Sequence, residues 1–158
     1  MRNINVWLNK YAESHQNPLN KLIHWFCVPA ITFTLLGLLA MVEFSFKTNN
    51  QTLYNINLSY ILIVFAIIFY ARLSFPLTIG MIIFTGFCVF MIENIANVFS
   101  KQELLSIYIS IFIIAWIGQF IGHKIEGKKP SFFEDIKFLL IGPAWLLSFI
   151  YNKLNIKI

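Results

Sequence analysis

The residues of this chain best suited to chemistry are its three histidines, His15, His24 and His123. Imidazole is the commonest metal ligand in proteins and the side chain that titrates nearest neutral pH. Each histidine lies in a polar cluster, although the chain is 58% hydrophobic and only 12% charged. Three imidazoles with open coordination positions suit Fe(II) or zinc better than magnesium or calcium. The histidines therefore indicate a metal site, provided that the fold brings them together.

The polar residues around His123 share one face of a predicted helix, because they are spaced three, four and three residues apart. They are Trp116, Gln119, His123 and Glu126. Gln119 is expected to orient the imidazole of His123 as a hydrogen-bond partner. Glu126 is expected to be a fourth ligand or a base beside the metal. The alternative for Glu126 is an exposed ion pair with Lys128 or Lys129.

Two asparagines separate the first two histidines. Asn17 precedes Pro18, a pair typical of a helix cap followed by proline at the first helical position. Asn20 is then either an ordinary first-turn residue or, like Asn17, a polar partner of the site.

Composition indicates a single helical membrane domain over residues 1–158. The mean hydropathy is +0.72 and the chain contains 17 phenylalanines, which does not suit a water-soluble globule of this size. The net charge of +5 is expected to meet anionic lipid headgroups, and no basic patch with interleaved aromatics suggests nucleic-acid binding. No cleavable leader is expected. The four tryptophans are predicted to form an aromatic belt: Trp7, Trp25, Trp116 and Trp145.

The predicted fold class is all-α, with about four transmembrane helices over 22–44, 58–71, 77–93 and 104–123. An amphipathic helix over 3–15 is predicted to lie in the membrane interface and to point His15 toward the bilayer. The polar stretch 47–57 is predicted to be a loop. A capping box at Ser131 and Glu134 begins a short interfacial or re-entrant helix over 132–151.

The positive-inside rule predicts the orientation of this layout. All the basic residues except Lys47 and Lys101 fall on one side. Both termini and the three histidines are therefore expected at the cytoplasmic face, of the inner membrane in a bacterium or of the endoplasmic reticulum in a eukaryote. Histidines far apart in sequence can then converge.

The two polar clusters resemble those of the small integral-membrane Fe(II)-dependent 2-hydroxy fatty acid dioxygenases, whose fungal members act in phytosphingosine breakdown. The first cluster matches a Tyr-x3-His-x-Asn opening followed by asparagine, histidine and proline. Its members here are Tyr11, His15, Asn17, Asn20, His24 and Pro29. The second matches a Gln-Phe-Ile-Gly-His-x2-Glu-x3-Pro block at residues 119–130.

The resemblance implies α-oxidation, in which a 2-hydroxy fatty acid loses one carbon with O2 as the oxidant. It implies Fe2+ as the cofactor, held by His15, His24 and His123, and an acyl chain that extends into the bilayer. Lys21 or Lys124 could attract the substrate carboxylate. The alternative is a non-enzymatic lipid-binding or assembly protein, whose histidines only contact headgroups.

Overall fold

A computed structural model of the chain describes residues 4–48, 51–130 and 137–158. These residues form six helices and one hairpin, so the all-α class is confirmed apart from that hairpin. The elements in chain order are α1 (Ile4–Ala12), α2 (Pro18–Ala40), β1 (Glu43–Thr48), β2 (Gln51–Asn57), α3 (Leu58–Ala71), α4 (Phe75–Ala96), α5 (Lys101–Glu126) and α6 (Phe138–Lys153).

Three helices, α2, α4 and α5, are long and apolar enough to cross a membrane. The predicted span over 58–71 matches α3, but its 14 residues extend about 21 Å at 1.5 Å per residue. That length falls short of the roughly 30 Å hydrocarbon core of a bilayer. Four full spans are therefore not established. Helix α2 begins at Pro18, as the Asn17–Pro18 pair predicts and four residues before the predicted span over 22–44, and Asn17 caps it by accepting from the Leu19 amide.

The β-hairpin corrects two expectations, a loop over 47–57 and a first span that continues to residue 44. Strands β1 and β2 pair antiparallel from Glu43 opposite Asn57 to Thr48 opposite Gln51, with an irregularity between Phe46 and Lys47. Only the second half of β2, residues 54–57, alternates apolar and polar residues with the period of a strand. Its asparagines hid that period because they are typical of loops.

The N-terminal helix is amphipathic as predicted, but its apolar face packs against α6. Ile4, Leu8 and Tyr11 are buried in one core cluster with Phe138 and Ile141. The chain then turns, and His15 follows the helix with no exposed surface. Packing of α1 on α6 therefore turns this segment toward the protein interior, and the direction of His15 relative to the bilayer stays a prediction.

Helix α6 gathers several helix ends on the same side of the molecule. The Tyr70 hydroxyl, near the end of α3, donates to the Leu140 carbonyl at 2.5 Å. The Tyr151 hydroxyl donates to the Pro76 carbonyl, at the start of α4, at 2.6 Å. The capping box predicted at 131–134 lies outside the described residues, and the described helix runs through Pro143 without interruption.

Close packing of α5 on α2 positions two of the histidines. Gly118 and Gly122 lie one turn apart on α5 and face α2. A Cβ atom at Gly118 would lie 2.7 Å from the Cys27 sulfur, and one at Gly122 would collide with the Asn20 amide oxygen. Small residues spaced in this way let helices approach closely in membranes. His24 and His123 are thereby brought to the same level.

Candidate metal centre

The three histidines meet where the turn after α1, the first turns of α2 and the last turn of α5 converge. The ring centroids of His15 and His24 are 4.3 Å apart. The His123 ring lies 4.8 Å from His15 and 5.0 Å from His24. All three side chains are buried, and one potential ligand atom from each lies within 4.8 Å of the other two.

Two of the rings are held in one orientation by backbone carbonyls. His15 Nδ1 is 2.6 Å from the Tyr11 carbonyl oxygen, and His24 Nδ1 is 2.9 Å from that of Asn20. Because a carbonyl oxygen can only accept, each Nδ1 is assigned the ring proton. Each Nε2 then carries a lone pair. Metal-binding histidines commonly donate their other nitrogen in this way.

The two Nε2 atoms face each other at 2.9 Å. With the proton on Nδ1 in both rings, two lone pairs meet across this distance and repel each other. A cation that both lone pairs bind would replace the repulsion with two bonds. The contact is therefore one that a shared metal ion explains.

The third ring supplies an orphaned polar atom. His123 Nδ1 is buried and has no hydrogen-bond partner in the part of the chain that the structure describes. A buried polar atom left unpaired costs about 1–3 kcal/mol, and a bond to a metal would offset that loss. Three neutral imidazoles fit a divalent transition metal such as Fe(II) or zinc.

The environment keeps the ring of His15 neutral. His15 lies before α2. Its burial is the largest cause that lowers its pKa, the neighbouring charge of His24 is the second, and together they bring the pKa to about 3. Neutral imidazole is the form that binds metals. Near neutral pH the lone pair of His15 is therefore available.

Aromatic rings enclose the cluster on the α6 side. Tyr11 stacks on His15, with centroids 4.1 Å apart and an interplanar angle of 14°. The Trp145 ring lies 5.1 Å from that of His15. Trp145 is buried, so its assignment to an aromatic belt is wrong. The belt is predicted because tryptophan is enriched at membrane interfaces. The Trp145 ring packs inward because α6 covers α1.

Glu126 joins the end of α5 to the start of α2. Its Oε1 accepts from the Gln16 backbone amide at 2.7 Å. Its Oε2 accepts from the Asn17 amide at 2.8 Å and from the Asn20 side chain at 3.1 Å. A carboxylate is disfavoured at the C-terminus of its own helix, but the N-terminus of α2 provides a favourable dipole.

Through these contacts Glu126 holds the turn that carries His15. We call the hydrogen bonds of Glu126 to Gln16, Asn17 and Asn20 the clamp. Glu126 is not one of the grouped metal donors among the described residues, and its role as fourth ligand or base stays a prediction. The predicted alternative is an ion pair of Glu126 with Lys128 or Lys129. The Lys128 ammonium instead donates to the Glu13 carbonyl at 2.7 Å, and Lys129 is exposed.

The two asparagines differ in their roles. Asn17 is the cap of α2, as one of the alternatives predicts. Asn20 is fully buried, and its amide donates to the Ser14 carbonyl at 3.2 Å and to Glu126. Asn20, which lies on α2, therefore connects the turn before α2 with the end of α5. The sequence pattern left its role open because the partners lie on different elements.

Of the remaining candidates, Lys124 is exposed and Lys21 is partly exposed. Their attraction of a substrate carboxylate stays a prediction. Gln119 is buried beside a cavity of about 60 Å³ that His123 also lines. The predicted hydrogen bond between Gln119 and the His123 ring is not present among the described residues.

The clamp makes a testable prediction. In Glu126→Gln, one carboxylate oxygen becomes an NH2 group that opposes the amide donors of the turn. We expect the affinity for a divalent metal to fall roughly tenfold to hundredfold, as is usual when a supporting hydrogen bond around a metal site is lost. Competition with a chelator in detergent measures this change.

The matched control is Glu13→Gln, which makes the same chemical change at an exposed position two residues before His15. It should leave the affinity unchanged. Equal affinities of the two variants would refute the clamp.

Two comparisons with known proteins give the same family. The family model described as "2-hydroxy-palmitic acid dioxygenase Mpo1-like" matches residues 1–154. The chain is 30% identical over 144 residues to the 2-hydroxy-palmitic acid dioxygenase MPO1 of Saccharomyces cerevisiae, which covers 89% of this chain and 75% of the yeast protein. No solved structure matches the chain.

Proposed function

The chain belongs to the Mpo1-like family, and from this premise we propose that it is an Fe(II)-dependent dioxygenase. Its substrate would be a 2-hydroxy fatty acid, shortened by one carbon with O2. The name of the yeast relative supports the substrate class. The observation that supports a bound metal is the pair of facing Nε2 atoms of His15 and His24. Beside them lies the His123 nitrogen that has no partner among the described residues.

Ferrous iron, when bound, would supply the means to activate O2 and to hold the carboxylate and 2-hydroxyl of the substrate side by side. The atoms of the reaction balance when C1 leaves as carbon dioxide and one water forms. The three imidazoles would hold the ion, and the carbonyls of Tyr11 and Asn20 would keep two of the rings in place. The rings of Tyr11 and Trp145 would exclude water from the α6 side.

The proposal also places the protein in a membrane. Three helices are long and apolar enough to cross it, and the acyl chain would extend into its core. The distribution of basic residues supports a site, and both termini, at the cytoplasmic face. Lipids would thus be both the surroundings and the source of the substrate.

A product assay tests the proposal. Purified protein reconstituted with Fe(II) should hold about one iron per chain, as one converging set of three imidazoles implies. With 2-hydroxypalmitate and O2 it should form pentadecanoic acid, and palmitate, which lacks the 2-hydroxyl, should remain unchanged. Gas chromatography measures the shortened acid, and oxygen uptake measures the consumption of O2.

Two outcomes would count against the proposal. Iron-loaded protein that consumes no O2 and forms no shortened acid would refute the reaction. Absence of iron binding as well would favour the alternative of a lipid-binding or assembly protein.

A further inference from the structure

Gln119 carries a hydrogen-bond donor that is unpaired within the described part of the chain. The residue lies on α5, one turn before His123, and is 6% exposed. Its Nε2 atom is buried and has no hydrogen-bond partner among the residues that the structure describes. Most buried polar side-chain atoms in native proteins are paired. An unpaired donor beside a candidate metal site therefore suggests a ligand that completes it.

The cavity beside Gln119 has the size and lining of a head-group site. Its volume of about 60 Å³ has room for a few water-sized groups, and so for a carboxylate and its neighbouring carbon. It is too small for a long acyl chain. Gln119 and His123 supply polar surface, and Val28, Ile31 and Leu139 supply apolar walls.

We propose that the Gln119 amide donates a hydrogen bond to the carboxylate of the 2-hydroxy acid and so positions its head group beside His123. This inference rests on the proposed function and names the contact that recognises the substrate. A carboxylate is the preferred acceptor because hydrogen bonds to a charged group are roughly twice as strong as neutral ones. The apolar walls would hold the first methylene groups of the chain as it leaves toward the bilayer.

Two variants test this contact. Gln119→Leu removes the donor at similar size, and Gln119→Glu places a negative charge against the carboxylate. Gln102→Leu is the matched control, because it makes the same change at an exposed position of the same helix. Iron content is measured first for each variant, since a residue that only orients His123 would change it.

Binding is then measured without turnover, by titrating iron-loaded protein anaerobically with 2-hydroxypalmitate and following tryptophan fluorescence, since Trp116 lines the cavity. Gln119→Leu should weaken binding about tenfold to hundredfold, the range of a hydrogen bond to a charged group, and Gln119→Glu should weaken it more. The methyl ester lacks the charge but keeps a carbonyl acceptor, so its loss of affinity between wild type and Gln119→Leu should be clearly smaller than that of the acid. In turnover, KM should rise with little change in kcat.

The outcomes separate this inference from the proposed function. Wild-type binding and turnover with an unchanged dissociation constant in Gln119→Leu would overturn the inference alone. Loss of iron in Gln119→Leu would also overturn it, because the residue would then act through His123. A wild-type protein that binds neither iron nor 2-hydroxypalmitate would overturn both.

Discussion

Replacing His24 with alanine is expected to abolish iron binding and with it the production of the shortened acid. His24 contributes one of the two facing Nε2 atoms, and its own ring is fixed by the Asn20 carbonyl. Its loss leaves two imidazoles, too few to hold Fe(II) against chelators. The loss of affinity should far exceed the roughly tenfold to hundredfold effect of removing an outer hydrogen-bond partner.

Iron analysis by mass spectrometry and thermal unfolding in detergent measure this effect together. Added Fe(II) should raise the melting temperature of the wild-type protein, because a ligand that binds the folded state stabilises it. It should not raise that of His24→Ala. Phe26→Ala is the control, since this neighbouring side chain on α2 is 71% exposed. Full iron retention in His24→Ala would refute the ligand assignment.

The second large effect is expected from Gly122→Ala. The new Cβ would collide with the Asn20 amide oxygen and lie 3.6 Å from the His24 ring. Asn20 is buried and hydrogen-bonded to Ser14 and Glu126, so α2 and α5 must separate or the clamp must break. Overpacking of this kind typically costs about 1–3 kcal/mol, and iron affinity should fall because His24 and His123 move apart.

Gly86→Ala is a matched control for this prediction. It makes the same change within α4, where an added Cβ meets nothing within 4 Å. Its stability should remain equal or rise by up to about 1 kcal/mol from helix propensity. Adding Asn20→Ala to Gly122→Ala should recover part of the helix packing, a non-additivity expected of residues in contact. Equal destabilisation by the two glycine variants would contradict the close approach.

Local signals in the sequence account for much of the helical layout. Asn17 and Pro18 locate the start of α2, and the bounds of α3 agree with the predicted 58–71. The predicted span over 104–123 begins three residues after α5 does, although Ser100 and Glu103 form a capping box that marks the start of the helix. The Gly-x3-Gly pattern at Gly118 and Gly122 was also readable, and it would have indicated which face of α5 meets α2.

The site depended more on contacts that no local pattern encodes. The convergence of the histidines could be expected from topology, because three same-side segments can meet. The partners of Glu126 could not, since its bonds reach residues 106 to 110 positions away in sequence. The inward position of Trp145 likewise follows from the packing of α6 on α1, which depends on both surfaces at once.

The long reach of the Glu126 contacts has a consequence for biosynthesis. A nascent chain that has released α1 to α4 presents His15 and His24, but neither His123 nor the carboxylate that secures the turn before α2. Capture of the proposed ion would then follow the insertion of α5. The imidazoles would meet the ion only after the helices are in the membrane, so incomplete chains would not retain iron. The ion would stabilise the finished protein without directing its insertion.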